Sequence, residues 1–197
     1  MNIFLGGAHR TGKSTVAQKL ADKLGYNYIP TKLGSMKLWD IMGSPSAHYT
    51  YGERVKIQEE LYRYFINVID SVQLTDNVFD RSLFDLVGYL HTNYDSTCSS
   101  VFDDYVCNEF LPTMAKFYKN TYNTLTCILQ PNVAYKYCLV EAGKNNKVYN
   151  SFAYRQGLTD VIVGFAVRNL DPYQYQVVPE HLDIDGTVDF IIKTILK

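Results

Sequence analysis

Apolar and polar positions along this chain follow two rhythms. Short apolar runs of strand length recur, and between them apolar residues fall three or four apart, as on one face of a helix. The first run, Asn2–Gly7 (NIFLGG), reads as a buried parallel strand. In KSTVAQKLADKLG, Val16, Leu20 and Leu24 keep helical spacing, and Gly25 stands where a helix stops. Tyr26–Pro30 reads as a second strand, ended by Pro30 and the TKLGS that follows. Residues 32–50 are irregular, with Gly34, Gly43, Pro45 and several serines. From Tyr51 to about Leu74 the pattern is helical, through Val55, Ile57, Leu61, Tyr62, Phe65, Val68 and Ile69. NVFDRS (Asn77–Ser82) is strand-like and ends in charge, and LFDLVGYLHTNY starts another helix. Residues 101–119 look helical, and Leu125–Pro131 is a strand stopped by proline. Glu141–Asn150 is polar and loop-like; Ser151–Leu170 reads as a long amphipathic helix. Tyr175–Pro179 is the last strand, and DGTVDFIIKTILK the last helix. About five strands joined by helical crossovers predict an α/β fold around a parallel sheet. Ligands of such sheets sit at the carboxyl ends of the strands. There is no internal repeat and no low-complexity linker, and 197 residues read as a single domain, 1–197.

The turn between the first strand and helix is GAHRTGKS, Gly7 to Ser14. Its spacing is G-x-x-x-x-G-K-[ST]. The glycines permit backbone conformations that turn successive N–H groups inward, and the following helix adds its positive end. Together they make an anion site. Lys13 is expected to reach the β- and γ-phosphates of a nucleotide, and the Ser14 hydroxyl to ligate Mg²⁺. The nucleotide-binding set is Gly7, Arg10, Thr11, Gly12, Lys13, Ser14 and Thr15. Arg10 has two directions open, toward phosphate or toward Asp80. A glycine-rich turn with a chance lysine is the alternative, and the strand–loop–helix setting argues against it.

Asp80, Arg81 and Ser82 follow the NVF strand, at the same end of the sheet as the loop. Asp80 can bind Mg²⁺, directly or through water, or accept a proton from an attacking hydroxyl. Arg81 can clamp a substrate phosphate bidentately. The competing role for Asp80 is to cap the helix starting at Leu83.

Composition narrows the picture. The chain is 47% hydrophobic and 20% charged, with a formal net charge of −1. That balance gives no general pull toward nucleic acid or an anionic membrane. No apolar run approaches the ~20 residues of a membrane span. The chain enters its first strand at once, without a secretory leader, which predicts a cytoplasmic protein. Cys98, Cys107, Cys127 and Cys138 form no C-x-x-C pair and are expected to be free thiols.

The phosphate loop, the D-R-S triplet after the third strand-like run and the small size resemble the nucleoside and nucleotide kinases of the P-loop class. Deoxynucleoside kinases carry an acidic-Arg-Ser triplet there, and thymidylate kinases a related D-R triplet. The loop is also similar to that of small P-loop proteins carried by bacteriophages. The resemblance implies a three-layer αβα P-loop NTPase fold with about five parallel strands, ATP and Mg²⁺. It also implies a substrate-side region at about 31–75 and a lid at about 133–155. By position, Arg54 and Gln58 are candidates for the acceptor's phosphate and base, on one helical face with Tyr62. Thr31 and Lys32 fall on a substrate-side loop, and Val178–Asp185 on the loop beside the donor's adenine. Lids of this class carry arginines, whereas residues 129–151 here hold Lys136, Lys144 and Lys147. Three options stand: Lys144 and Lys147 act as the lid cations, Arg155, just beyond, swings in, or the lid is weakly catalytic and the protein no efficient kinase. A homodimer through the Tyr51–Leu74 or Val101–Lys119 helices is a further expectation.

The leading expectation is phosphoryl transfer from ATP to a deoxynucleoside monophosphate, with Lys13, Asp80 and Arg81 catalytic and Ser14 and Asp80 on the metal. Alternatives are a deoxynucleoside kinase with Asp80 as base, and a kinase for the hydroxyl of a nucleic-acid end or modified base. From another class comes a nucleotide-dependent switch or ATPase with no small-molecule acceptor. The partner expected is a small-molecule nucleotide, with no membrane and no sign of nucleic-acid binding.

Overall fold

The computed structural model describes residues 1–31, 51–72, 75–92, 107–108, 111–112, 123–132 and 152–196. Five strands form one sheet: β1 (Asn2–Gly7), β2 (Asn27–Ile29), β3 (Asn77–Phe79), β4 (Thr124–Leu129) and β5 (Tyr175–Val178). Among the described residues, five helices of ten residues or more pack on it: α1 (Lys13–Leu24), α2 (Tyr51–Asp70), α3 (Leu83–Thr92), α4 (Phe152–Asn169) and α5 (Ile184–Ile195). The spatial strand order is β2-β3-β1-β4-β5, and every pairing is parallel.

Side chains alternate across the sheet with period two, which separates two cores. Ile3, Leu5, Val78, Leu125, Cys127 and Leu129 face α1 and α5, meeting Val16, Leu20, Val188 and Ile191. Phe4, Phe79 and Ile128 face the opposite way, onto α2, α3 and α4. There Phe4 stacks on Phe79 at 4.4 Å between centroids, and Phe65 meets Phe4 edge-on at 6.2 Å. The result is the three-layer αβα arrangement expected from the sequence.

Register at the amino ends of three strands is pinned by asparagines. Asn2, Asn77 and Asn27 are neighbours across the ladder. Asn77 Nδ2 donates to Asn2 Oδ1 at 3.0 Å, and Asn27 Nδ2 to Asn77 Oδ1 at 3.3 Å. A one-residue slip would break this ladder and turn each strand's apolar set to the wrong face.

Element ends differ from expectation for local reasons. Tyr26 is not in β2, because its N–H bonds to Ala21 O and closes α1 together with that of Gly25. The helix α2 ends at Asp70, where the Val72 N–H bonds to Ile69 O in a tightened last turn. Asp183 opens α5 by accepting from Gly186 N at 2.7 Å. Of the helix expected at 101–119, only 107–108 and 111–112 are among the described residues.

The order reverses at β1: the chain moves to β2 and β3 on one side, then to β4 and β5 on the other. The carboxyl end of β1 is therefore the topological switch point, where open α/β sheets leave a crevice.

Candidate active site

The loop Gly7–Ser14 begins at that switch point. Gly7 has φ 130 and Gly12 φ 84, conformations that side chains resist. At Gly7 a Cβ would also lie 2.3 Å from Leu129 O, so the close approach of β1 and β4 excludes any other residue. Arg10 sits at φ 59, unusual for a residue with a side chain and consistent with a loop bent around a ligand. Gly12 opens α1 with no side-chain cap, and the first turn carries no acidic residue. Nothing in the helix itself thus offsets its amino-terminal positive end. Ser14 and Thr15 are exposed at the mouth.

Lys13 is 5% exposed, and its Nζ donates to Gly7 O at 2.8 Å and to Ala8 O. The ammonium thus lies on the loop's own carbonyls. Burial lowers its pKa to about 7, and Arg81 adds to the effect against the opposing pull of Asp85 and Asp80.

Asp80 leaves β3 and points into the loop. Its Oδ1 accepts from Thr31 N at 2.9 Å and Thr31 Oγ1 at 2.7 Å. Its Oδ2 accepts from Ser14 Oγ at 3.2 Å and Tyr28 OH at 3.2 Å. Asp80 therefore does not cap the next helix. The helix starts instead with a backbone turn in which Asp85 N donates to Ser82 O at 3.2 Å. Thr31 is fully buried with its amide and hydroxyl on Asp80, so it orients the carboxylate rather than facing a ligand. Among the described residues no three His, Cys, Asp or Glu side chains gather to hold a metal. The oxygen pair Ser14–Asp80 at the loop is a hard donor set of the kind Mg²⁺ takes.

Arg81 is part-buried, with Nη1 3.4 Å from Tyr89 OH and 3.7 Å from Asp85 Oδ2. Tyr89 in turn packs against the His9 ring at 4.4 Å between centroids. Burial, with Arg81, Lys13 and Arg10 close by, lowers the His9 pKa to about 3, so the ring is neutral at physiological pH.

Beside the loop lies a cavity of about 230 Å³. Arg10, Thr11 and Gly12 form one wall, and the ends of β4 and β5 with the start of α5 form the others. Gln130 Nε2 donates to Val178 O and Asn132 Nδ2 to Leu182 O, each at 3.0 Å, tying the rim together. The 178–185 loop expected beside the base contributes Val178, Pro179, Leu182, Asp183 and Ile184. Arg155 also lines this cavity, from the first turns of α4. It is 1% exposed, its Nε and Nη2 have no hydrogen-bond partner among the described residues, and Phe152 lies 5.9 Å from its guanidinium. Burial and Arg10 lower its pKa. Thr159, one turn further along α4, accepts from Ala8 N at 3.4 Å, which places this face of the helix against the loop.

Gly7, Arg10, Thr11, Gly12, Lys13 and Ser14 thus form the loop, with Asp80 bonded to Ser14, Arg81 close to Lys13, and Arg155 beside Arg10 in the cavity. Tyr62 lies elsewhere in kind: half-buried, it packs against the apolar core. The side chains of Arg54 and Gln58, and Lys32, Lys136, Lys144 and Lys147 entirely, lie outside the described residues. Sequence reading missed Tyr28, Asp85, Gln130 and Asn132. Only Asp85 left a signal, as an acidic residue in the middle of the apolar LFDLVGYL helix.

No family model matches the sequence, and no curated protein matches it. Solved structures share its fold. Deoxyadenosine kinase from M. mycoides with bound dATP superposes with a TM-score of 0.65 at 18% identity, covering 100% of each chain. The same kinase with bound dCTP gives 0.62 at 16%, covering 100% of this chain and 99% of the other. The YorR protein of Bacillus subtilis, in complex with phosphorylated GDP, gives 0.59 at 16%, covering 100% and 96%.

Proposed function

We propose that this protein is a nucleotide kinase, moving the terminal phosphoryl group of ATP to a deoxynucleoside monophosphate. The observation that carries the reading is the Ser14–Asp80 contact at 3.2 Å beside an uncapped helix start. Catalysis of this reaction is mostly positioning and charge stabilisation, and the crevice holds groups suited to both. The loop amides and Lys13 hold the donor phosphates, once Lys13 leaves the Gly7 and Ala8 carbonyls. Bound Mg²⁺ would be held by Ser14 and Asp80 and would neutralise donor phosphate charge. An acceptor oxygen bonds to the terminal phosphorus while the bond to the bridging oxygen breaks and ADP leaves.

Asp80 bears on the choice of acceptor. Both its oxygens already accept hydrogen bonds, from Thr31, Ser14 and Tyr28. A carboxylate so engaged suits a metal-organising role better than removal of a proton. A monophosphate acceptor in its dianionic form has no proton to lose, and Arg81 matches its charge. Arg54 and Gln58 remain the candidates for its phosphate and base. Arg155 supplies the guanidinium that residues 129–151 lack: its Nε–Nη2 edge, unpaired among the described residues, lies beside the loop and fits two phosphate oxygens.

A second reading, a deoxynucleoside acceptor, is favoured by the deoxyadenosine kinases that share the fold. There Asp80 takes the proton of the attacking hydroxyl. An ADP-release assay with ATP and Mg²⁺ against each deoxynucleoside, deoxynucleoside monophosphate and ribonucleotide separates the two, with Lys13→Ala as control. Turnover with monophosphates supports the first reading and turnover with nucleosides alone the second. Acceptor-independent hydrolysis alone rejects both and leaves the switch or a nucleic-acid acceptor.

A further inference from the structure

Asp85 is a carboxylate that no motif singled out. It is fully buried on α3. Its Oδ1 accepts from Gly7 N at 2.9 Å and from Ser82 Oγ at 3.0 Å. Its Oδ2 has no hydrogen-bond partner among the described residues and lies 3.7 Å from Arg81 Nη1. A buried carboxylate is costly unless it is paired and hydrogen-bonded. Burial indeed pushes the Asp85 pKa up, and Lys13 and Arg81 draw it back. A leucine or alanine would suit this apolar helix better on stability alone.

What Asp85 holds explains its presence. Gly7 is the entry to the phosphate loop, and its amide is committed to Asp85. The next amide, of Ala8, faces Thr159 on α4. These two anchors turn the loop's first amides away from the crevice and set the planes of the peptides that follow. The same carboxylate stands beside Arg81, the residue that the proposed function assigns to the acceptor phosphate. Gly6 leaves room for this contact: a Cβ there would be 2.7 Å from Ser82 Oγ and 3.1 Å from Asp85 Oδ1.

We infer that Asp85 is a positioning residue for phosphoryl transfer. One oxygen holds the entry of the donor loop through the Gly7 amide, and the other holds the guanidinium of Arg81 toward the acceptor. The Arg81 half rests on the kinase reading; the Gly7 half needs only nucleotide binding.

The test compares Asp85→Asn and Asp85→Ala with the wild type. ATP dissociation constants are measured by calorimetry, acceptor KM and kcat by ADP release, and folding by thermal melting. Asparagine keeps an oxygen for Gly7 and Ser82 but lacks the charge. D85N is expected to hold ATP within about threefold of wild type while the acceptor KM rises about tenfold, as for a buried ion-pair partner of Arg81 lost. D85A loses both contacts, so its ATP dissociation constant also rises about tenfold. Wild-type values in D85A overturn the inference. So does an equal shift of both constants in D85N, which would mark a residue that only supports the fold; D85N alone decides if D85A does not melt cooperatively. If the wild type binds ATP but phosphorylates no acceptor, the kinase reading fails. The loop half is then judged by ATP affinity: weaker binding in D85A than in D85N upholds it, and equal binding overturns it.

Discussion

Ser14 Oγ and Asp80 Oδ2 lie 3.2 Å apart, although 66 residues separate them in the chain. The contact joins the start of α1 to the end of β3 and sets two oxygens side by side at the mouth of the loop. Asp80→Asn keeps an acceptor for Thr31 and removes the charge. Its expected effect is a kcat lower by about 10²-fold, with a melting temperature close to wild type. Wild-type turnover in D80N, measured at saturating Mg²⁺ and ATP, would sink the assigned role.

Lys13 makes the unliganded protein's stability depend on pH. Its pKa is about 7 in the fold, against an ordinary 10.5. Between those values the unfolded chain binds more protons than the folded one. Stability is therefore lowest below pH 7 with respect to this group and rises as pH climbs toward 10. Lys13→Met should flatten that rise and abolish turnover. Urea midpoints at pH 7 and pH 9.5, for both proteins without nucleotide, check it; parallel slopes would refute the prediction.

Arg155 is a buried cation with two nitrogens, Nε and Nη2, unpaired among the described residues. Such a group costs stability until an anion joins it. Arg155→Met should leave the unliganded melting temperature unchanged or higher, yet weaken ATP binding about tenfold or more. Arg155→Lys should recover only part of the affinity, because an ammonium lacks the planar fork. Calorimetric titration with ATP, ADP and AMP reads this out, and unchanged ATP affinity in R155M would remove Arg155 from the site.

Gly88 sits where α3 crosses α4. A Cβ there would come within 2.5 Å of Ile162 Cγ1. Gly88→Ala should cost about 1–3 kcal/mol through overpacking. It should also weaken ATP binding, because these helices carry Asp85 and Thr159, the two anchors of the loop. Gly157, in the same α4, meets nothing within 4 Å, and Gly157→Ala should gain about 0.5–1 kcal/mol from helix propensity. Chemical denaturation of the pair tests the contrast.

Much of the site was legible because its chemistry is local. Gly7, Gly12, Lys13 and Ser14 are neighbours in the chain, and their spacing alone implies a loop that binds phosphate. The D-R-S triplet at the end of an apolar run placed Asp80 and Arg81 at the same sheet edge. The partners of these residues were not legible. Thr31 looked like a substrate contact because it follows a strand, yet it holds Asp80 from 49 residues away. Tyr62 shares a helical face with Arg54 and Gln58, but helical spacing does not say which face meets the core. Asp85 hid within an apolar helix, since its reason for being there is a bond to Gly7, 78 residues earlier.

The amino-acid sequence by itself determined most of the described elements, the parallel sheet and the glycine-rich turn between β1 and α1. Periodicity, glycine and proline positions and a contiguous motif act within a few residues of one another. The strand order, the anchoring of the loop by Asp85 and Thr159, and the arrival of Arg155 beside Arg10 were decided only by the tertiary structure. Those contacts depend on how distant segments pack, because burying apolar faces fixes where buried polar groups must find their partners.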